Sequence, residues 1–292
     1  MSNFDAERVH AGRVRMYVRD WPGSNEPHVP VLFIHDLAAN GLSALRLSTL
    51  LVHRRRVIAP DLRGRGRTDM PIGDFGVATH VRDLLGCLRT MGVDQFVAMG
   101  HGYGALIALT LAAEYPENVA GLVLLNGGGP LDDRSRITLD KYYRVLPFRF
   151  PSVESYVSEL QHHPLYQPWT GELESFVRST ILPQPNGTGM RHLSRPNFES
   201  DCAALITETL PQLDMLYAKV NCPVLILRSG YGMTPDGDHM LSEVAVETIK
   251  AYLPKSAKVD VLTIPEASHM TLLTVPNAER NAAILHFLGI DE

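Results

Sequence analysis

The length, composition and charge of the chain limit the classes of protein to which it can belong. It has 292 residues, of which 45% are apolar and 20% are charged, and its formal net charge at pH 7 is −5. Such a chain can bury a large core, so it is neither disordered nor fibrous, and its negative charge provides no basic surface field for nucleic acid.

Strands and helices alternate along most of the sequence. Short β-branched runs predict strands at Val14–Arg19, Val29–Ile34, Arg56–Pro60, Gln95–Met99, Gly121–Leu125, Pro223–Arg228 and Val259–Ile264. Helical patterns lie between them, near residues 42–52, 76–91, 103–115, 239–252 and 276–288. This alternation predicts an α/β protein with a mostly parallel central sheet that is covered by helices on both faces.

Residues 129–216 interrupt this alternation. The segment carries short amphipathic stretches, many aromatic residues and several prolines, but it contains no pattern typical of a buried strand. We therefore expect a helical cap or lid insertion at 129–216 and an α/β core formed by residues 1–128 and 217–292.

Four loops at the ends of predicted strands combine glycines with polar residues. Ligands bind at the carboxyl ends of the strands in an open parallel sheet, so we expect the functional site in these loops. They are His35–Gly41 ("HDLAANG"), Pro60–Pro71 ("PDLRGRGRTDMP"), Gly100–Ala105 ("GHGYGA") and Pro265–Met270 ("PEASHM").

Taken in this order, the four loops resemble those of the α/β-hydrolase superfamily, especially its esterase, epoxide-hydrolase and haloperoxidase-like members. The resemblance covers nearly the whole chain and implies the α/β-hydrolase fold. It also implies that the backbone N–H groups of Leu37 and Tyr103 form an oxyanion hole and that His269 is the catalytic histidine.

The chain departs from the superfamily pattern at the residue where the nucleophile is expected. In "AMGHGYGA", Gly102 occupies the serine position of the Gly-x-Ser-x-Gly turn. A sharp strand-to-helix turn holds this residue at positive φ, a conformation that glycine adopts without strain. We expect that the bend is retained and that the attacking hydroxyl is absent.

The carboxylate that would pair with His269 is also missing from both positions at which the superfamily carries it. Gly232 occupies one of these positions, and Asn126 occupies the other. Asp236 lies just beyond Gly232 and is the remaining candidate for orienting the histidine, whereas Asp238 is better explained as a helix N-cap. The resemblance therefore leaves His269 as the retained member of the triad.

Five further residues are candidates for a substrate pocket. Asp36 stands where the superfamily has glycine; we favour the explanation that aspartate tolerates a left-handed backbone there, and the alternative is a carboxylate at the pocket mouth. His101 precedes the turn at a position where the superfamily often has histidine. Tyr142, Tyr143 and Trp169 lie in the predicted cap, where they either line the pocket or pack the cap on the core.

A base and an oxyanion hole without a nucleophile suit noncovalent proton transfer. Deprotonation next to a carbonyl produces an oxyanion that two backbone N–H groups can stabilise. We therefore expect an enzyme that uses His269 for an epimerisation, cyclisation or lyase-type reaction on a bulky, partly apolar small molecule or modified peptide. Two alternatives stay open: an esterase-like serine hydrolase whose nucleophile is replaced by Gly102, and a ligand-binding module without catalysis.

The N-terminal segment and the cysteines predict the setting of this chemistry. The segment "MSNFDAERVH" lacks the charged-then-apolar pattern of a signal peptide, and no apolar run is long enough to span a bilayer. The cysteines, Cys87, Cys202 and Cys222, are too scattered for a disulfide framework or a zinc motif. We expect a cytoplasmic protein that works without a membrane, a metal or another cofactor, and the sequence does not indicate its oligomeric state.

Overall fold

The structure is a computed structural model that describes residues 4–24, 28–71, 73–232 and 239–290. Its strands are β1 (Asp5–Ala11), β2 (Val14–Trp21), β3 (Val31–Ile34), β4 (Val57–Pro60), β5 (Phe96–His101), β6 (Val119–Leu125), β7 (Arg149–Phe150), β8 (Ile181–Pro183), β9 (Gly189–Arg191), β10 (Val224–Ser229) and β11 (Val259–Ile264). Its α-helices are α1 (Leu45–Leu51), α2 (Val77–Thr90), α3 (Tyr103–Glu114), α4 (Asp133–Val145), α5 (Val153–Gln161), α6 (Gly171–Ser179), α7 (Arg195–Ala204), α8 (Leu213–Tyr217), α9 (Glu243–Tyr252) and α10 (Ala278–Phe287). Short 3₁₀ helices lie at Gly41–Ala44, Pro164–Tyr166 and Leu210–Gln212, and a π-helical turn lies at Leu205–Thr209. No helix in the described ranges has the length and apolarity needed to cross a bilayer.

The central sheet has the strand order β1-β2-β4-β3-β5-β6-β10-β11. From β4 to β11 every neighbouring pair is parallel, whereas β1 pairs with β2 and β2 pairs with β4 in the antiparallel sense. The predicted α/β architecture with a mostly parallel central sheet is confirmed. The sequence does not predict strand β1, because only its Val9 and Ala11 side chains are buried and its apolar pattern is therefore weak.

Helices cover both faces of the sheet, so alternate side chains of a central strand enter different apolar clusters. In β3, Leu32 and Ile34 join the cluster that includes α2, α3 and α9, whereas Val31 and Phe33 join the cluster that includes α1 and α10. All four side chains are fully buried. Burial on both faces explains why β3 is a continuous apolar run in the sequence.

The segment between β6 and β10 forms the cap. It contains α4 to α8, and it also contains β7, β9 and β8, which pair antiparallel as a small separate sheet. These three strands are two or three residues long, which is too short to produce a strand pattern in the sequence. The cap has its own apolar cluster around Phe150, Tyr156 and Leu173. The exact limits of the cap at 129 and 216 stay a prediction.

Helix α3 approaches the end of β3 so closely that its second residue must be glycine. A Cβ on Gly104 would lie 2.1 Å from the carbonyl oxygen of Ile34 and 2.7 Å from that of His35. Both neighbours are backbone atoms, which cannot rotate out of the way. This contact places the N-terminus of α3 against the loop that carries Asp36.

We expect Gly104→Ala to lower the free energy of unfolding by about 3 kcal/mol or more, because the added methyl group forces α3 away from β3. The matched control is Gly171→Ala at the start of α6, where a Cβ meets no atom within 4 Å. The control should be neutral or slightly stabilising. Urea unfolding followed by circular dichroism measures both values, and equal stabilities would contradict the close approach.

Candidate active site

Loops from four parts of the chain meet at the carboxyl end of the sheet. Asp36 follows β3, Gly102 follows β5, Asn126 follows β6, and His269 lies in the loop after β11. Strands β3, β5 and β6 are neighbours in the sheet. The loop after β11 reaches them because His101 at the end of β5 binds the carbonyl oxygen of His269 through Nε2, at 2.9 Å.

Gly102 forms the predicted sharp turn between β5 and α3. Its φ is 54° and its ψ is −114°, a combination that residues with a side chain rarely adopt. A Cβ at this position would lie 2.2 Å from Oδ1 of Asp36, 2.6 Å from Cγ of Asp36 and 3.1 Å from Cε1 of His269. The carboxylate of Asp36 therefore fills the space in which a nucleophilic side chain of residue 102 would begin.

Asp36 is held in this space by one backbone donor and one side chain. Its Oδ1 accepts a hydrogen bond from Tyr103 N–H at 2.7 Å, and its Oδ2 lies 3.3 Å from Nε2 of His269. Burial favours the neutral acid, but the hydrogen bond with His269 and the electrostatic attraction of that imidazole outweigh it and hold the pKa of Asp36 well below its usual range. Asp36 is therefore an anion at neutral pH.

The explanation of Asp36 by a left-handed backbone is wrong. In the described part of the chain, the non-glycine residues with positive φ are His53, Asp74 and Asn126. Asp36 instead points its carboxylate into the site, where the side chain is 17% exposed and lines a pocket. The available sequence signal was the replacement of glycine by aspartate directly after His35 in a motif loop.

Asn126 contacts the second ring nitrogen of His269. Its Nδ2 lies 3.0 Å from Nδ1 of His269, and its Oδ1 accepts a hydrogen bond from Ser229 N–H at 3.1 Å. Because Ser229 N–H needs an acceptor, the amide oxygen is turned toward it and the amide NH₂ faces His269. Nδ1 is then an acceptor, and Nε2–H of His269 faces Asp36.

Gly232 and Asp236 are the other two positions considered for the acid that would pair with His269. Within the described residues, the ring nitrogens of His269 contact Asn126 and Asp36. No hydrogen bond joins Gly232 to His269 in that part of the chain. Asp236 lies outside the described residues, and its role in orienting the histidine stays a prediction.

Two buried histidines hold the loops of the site. His101 stacks on the ring of His269 at a centroid distance of 4.4 Å and donates Nε2–H to its carbonyl oxygen. His35 accepts Leu62 N–H at Nε2, so its Nδ1–H donates to the carbonyl oxygen of Asp36. Burial is the main reason that the pKa falls to about 3 for His101 and to about 4 for His35, which leaves both rings neutral at pH 7. Sequence reasoning named His101 as a pocket residue but missed the role of His35.

A buried ionic cluster connects the cap with the loop of Asp36. Asp201 in α7 binds Arg65 Nη1 at 2.5 Å, His80 Nε2 at 3.1 Å and Tyr103 OH at 3.2 Å. Arg65 also donates Nε–H to the carbonyl oxygen of Leu37 at 3.0 Å. Burial opposes ionisation of Asp201, but the charges of His80 and Arg65 outweigh it and keep its pKa well below the usual range. Sequence reasoning missed this cluster, although an arginine between two glycines in a motif loop was a usable signal.

The two backbone N–H groups predicted to form an oxyanion hole differ in their surroundings. Tyr103 N–H is bound to Asp36, so it can stabilise an oxyanion that is formed on that carboxyl group. Leu37 is fully buried, and its N–H donates no hydrogen bond to any described residue. A buried backbone donor without a partner is costly, so Leu37 remains the candidate for a donor that a ligand satisfies.

Asp36, His101 and His269 line a pocket that opens to solvent. The remaining walls are mainly apolar and come from both core and cap. Among them are Leu139, Tyr156, Leu173, Phe176, Met240 and Met270. Such walls suit a partly apolar organic molecule. Within the described residues, no three or more His, Cys, Asp or Glu side chains are grouped as metal ligands.

Trp169, Tyr142 and Tyr143 are the cap aromatics that were considered for the pocket wall. Trp169 packs against the apolar cluster of the cap rather than lining the pocket, and its Nε1–H donates to Glu174 at 3.4 Å. Packing, the alternative for these aromatics, therefore accounts for Trp169. The side chains of Tyr142 and Tyr143 in α4 lie outside the described part of the structure, so their place relative to the pocket stays a prediction.

The chain is similar in sequence and in structure to several hydrolases. The family model for the alpha/beta hydrolase fold matches residues 29–276. The 2-(acetamidomethylene)succinate hydrolase of Mesorhizobium japonicum is 24% identical over 266 residues, which cover 85% of this chain and 94% of that protein. The 2-hydroxymuconate semialdehyde hydrolase of Pseudomonas putida is 31% identical over 175 residues, which cover 53% of this chain and 58% of that protein.

Two crystal structures show the same fold along the whole chain. That of E-2-(acetamidomethylene)succinate hydrolase has a TM-score of 0.82 at 23% identity and covers 98% of this chain and 100% of that chain. That of an alpha/beta hydrolase from Novosphingobium aromaticivorans has a TM-score of 0.80 at 23% identity and covers 100% of both chains. At these identities the likeness concerns the fold alone.

We expect His101→Gln to reduce the loss of stability on acidification. Below pH 6.5 the unfolded chain protonates this histidine, whereas the folded protein does so only near pH 3, so the free energy of unfolding falls as the pH decreases through this window. One such histidine contributes a slope of up to about 1.4 kcal/mol per pH unit. Urea unfolding between about pH 4 and pH 6 measures the slope of the free energy of unfolding against pH. We expect a smaller slope in the variant, by an amount that corresponds to nearly one bound proton.

The same measurement has an internal control at alkaline pH. Between about pH 8 and pH 9 this imidazole is neutral in both states, so the two proteins should have equal slopes. Equal slopes in the acidic window as well would mean that His101 is already protonated in the folded protein.

Proposed function

The chain belongs to the alpha/beta hydrolase fold family, and from this membership we propose that it is a hydrolase in which the carboxylate of Asp36 takes the part of the missing serine. One observation carries the proposal: Oδ1 of Asp36 lies 2.2 Å from the position that a Cβ of residue 102 would occupy. The proposed substrate is a small, partly apolar molecule, or a modified peptide that presents such a group. The cytoplasmic location stays a prediction.

The charge of Asp36 favours a nucleophile over a general base. A carboxylate whose pKa is held low is a weak base, but it is fully ionised and ready to attack an electrophilic carbon. Its Oδ1 is bound to Tyr103 N–H at 2.7 Å, whereas the contact of Oδ2 with Nε2 of His269 is longer, at 3.3 Å. We therefore assign the nucleophilic atom to Oδ2.

The carboxylate also restricts the kind of bond that is broken. Attack on an ester would produce an anhydride-like intermediate that returns to the ester, because a carboxylate leaves more readily than an alkoxide. Attack on a saturated carbon that bears a good leaving group, as in an epoxide or an alkyl halide, does not have this difficulty. In this first step the Oδ2–carbon bond forms, the carbon–oxygen or carbon–halogen bond breaks with its electron pair, and an alkyl ester of Asp36 results.

Hydrolysis of that ester would use the groups already in place. Water attacks the carboxyl carbon of Asp36, and the charge that develops on Oδ1 is stabilised by Tyr103 N–H. His269 takes one proton of the water and gives it to the departing alkoxide, which leaves as the alcohol. The carboxylic acid that remains on Asp36 then loses its proton, to solvent or to the alkoxide formed by epoxide opening, and the carboxylate is regenerated. For this step Nε2 must be free, so the proton of His269 moves to Nδ1. The amide of Asn126 then turns its oxygen from Ser229 N–H toward this proton, and Ser229 N–H loses that acceptor during the step.

A second candidate is the noncovalent proton transfer expected from the sequence, which covers epimerisation, cyclisation and lyase reactions. The N–H of Leu37, which donates to no described residue, favours it, because this donor could stabilise an oxyanion that forms on the substrate. In that reaction Asp36 and His269 would exchange a proton with the substrate, and no ester would form. A binding module without catalysis is a further outcome of the tests below.

Single turnover in ¹⁸O-labelled water distinguishes these reactions. With enzyme in excess over an aromatic epoxide or alkyl halide, we expect the label in the peptide that contains Asp36 and unlabelled oxygen in the product. His269→Gln should slow the second step and allow the alkylated peptide to be detected by mass spectrometry. Asp36→Asn should reduce turnover by at least about a thousandfold, as expected for loss of a nucleophile.

Asp94→Asn, at an exposed residue outside the pocket, is the matched control and should leave turnover unchanged. Label in the product but not in Asp36 would show direct attack by water and contradict the nucleophilic role. Deuterium exchange at carbon without hydrolysis would support the proton-transfer reaction. Tight binding that neither Asp36→Asn nor His269→Gln changes, with no turnover, would support a binding module.

The alternative of a serine hydrolase with a replaced nucleophile has its own test. Gly102→Ser alone places its Cβ 2.2 Å from Asp36 Oδ1, so we expect no esterase activity from the single variant. The double variant Asp36→Gly/Gly102→Ser clears this space and frees Tyr103 N–H, and it should hydrolyse p-nitrophenyl butyrate above the background rate. If the single variant is equally active, Asp36 does not block the nucleophile position.

A further inference from the structure

Arg191 is a buried cation in the pocket wall that has no anionic partner among the described residues. It ends β9 in the cap, is 8% exposed and lines the same pocket as Asp36 and His269. Its Nε–H donates to the carbonyl oxygen of Pro147 at 2.9 Å. Neither of its Nη atoms donates a hydrogen bond to a described residue, so the four Nη–H donors of the guanidinium are unused within that part of the chain.

Arg191 differs from the other buried arginines in its unused Nη atoms, because each of the others donates through at least one Nη atom to a described residue, including Arg55, which binds carbonyl oxygens through both, and Arg228, which binds Glu243. Carboxylates lie 2.5 to 2.6 Å from three of them, in the pairs Arg19–Asp61, Arg63–Asp83 and Arg65–Asp201. Arg280 instead directs Nη1 at the carbonyl oxygens of Leu272 and Val275. Because a buried charge is costly unless it is paired, Arg191 is suited to a partner that enters the pocket.

The other charged groups that line the pocket each have a partner within hydrogen-bond distance. Arg46 pairs with Glu172 at 3.2 Å, and both side chains are one-third exposed. Asp36 lies against His269 on the core side. Arg191 is therefore the cation of the described pocket wall whose charge is available to a ligand.

The surroundings of Arg191 orient its guanidinium group. Its Cζ lies 5.1 Å from the ring centroid of Tyr156 and 5.8 Å from that of Phe150, and Nε is fixed by Pro147. A guanidinium held on aromatic rings by one nitrogen presents its Nη atoms as a planar fork, which matches the two oxygens of a carboxylate. A phosphate dianion would need a further cation, and the other arginine of the described pocket wall, Arg46, is engaged with Glu172.

We infer that Arg191 binds the carboxylate of the substrate and that the substrate class is apolar carboxylic acids. The acid group binds at the cap, the apolar body lies along the pocket walls, and the reacting carbon faces the core. Asp36 repels the carboxylate from the opposite side, so the ligand enters in one orientation. The position of the reacting carbon rests on the proposed function of Asp36, whereas the binding of the acid group does not.

The test compares phenylbutyrate with phenylbutyramide, which have the same shape and differ in charge, by isothermal titration calorimetry without turnover. The wild-type protein should bind the acid at least about tenfold more tightly than the amide. Arg191→Gln should bind both equally, and Arg191→Lys should keep part of the preference because it keeps the charge but loses the fork. The matched control is Arg178→Gln, since Arg178 is an exposed cap arginine paired with Glu154 and Glu174 outside the pocket; it should keep the full preference.

The affinity for the amide shows whether each variant retains an intact pocket. The inference would be overturned if the wild-type protein bound acid and amide equally or did not bind the acid. It would also be overturned if Arg191→Gln kept the preference for the acid with unchanged amide affinity. The two proposals can fail separately. Absence of ¹⁸O in Asp36 with an intact acid preference refutes the nucleophile alone, and labelled Asp36 without an acid preference refutes the role of Arg191 alone.

Discussion

The contact between the Asp36 carboxylate and the turn at Gly102 is the constraint on which the rest of the site depends. The oxygen of one loop lies where the side chain of another would begin, so residue 102 cannot gain a side chain while the carboxylate of Asp36 keeps its place. Glycine at 102 satisfies two requirements at once: it adopts a positive φ without strain, and it leaves space for the carboxylate. The result is a fixed anion at the floor of the pocket, between a backbone donor and an imidazole.

Several buried polar groups that do not line the pocket hold the loop of Asp36 in place. His35 binds the backbone of Asp36, and its neutral state follows from burial. Arg65 binds the carbonyl oxygen of Leu37 and at the same time the cap residue Asp201, so cap and core are connected through one guanidinium. Because a buried ion pair that loses one member leaves an uncompensated charge, this connection favours one position of the cap over the site.

Much of the fold was predictable because it depends on local patterns. Fully buried parallel strands such as β3 appear as continuous apolar runs, and the turn at Gly102 lies between a strand and a helix that both have strong patterns. Strand β1 was missed because it is mostly exposed, and the cap strands were missed because they are too short. His269 was a candidate because it lies in a motif loop. The left-handed backbone predicted for Asp36 was wrong, because the sequence does not show which groups surround its carboxylate.

The sequence by itself determined the order of strands and helices, the retained bend without a hydroxyl, and the presence of a histidine after the last strand. These features follow from periodicity, from the conformational freedom of glycine and from motif order. The tertiary structure alone decided what fills the nucleophile position, which side chain contacts each nitrogen of His269, and which arginine of the pocket wall has no anionic partner among the described residues. These contacts join residues far apart in the chain, such as Asp36 with His269, and their distances depend on how the loops pack rather than on any local pattern.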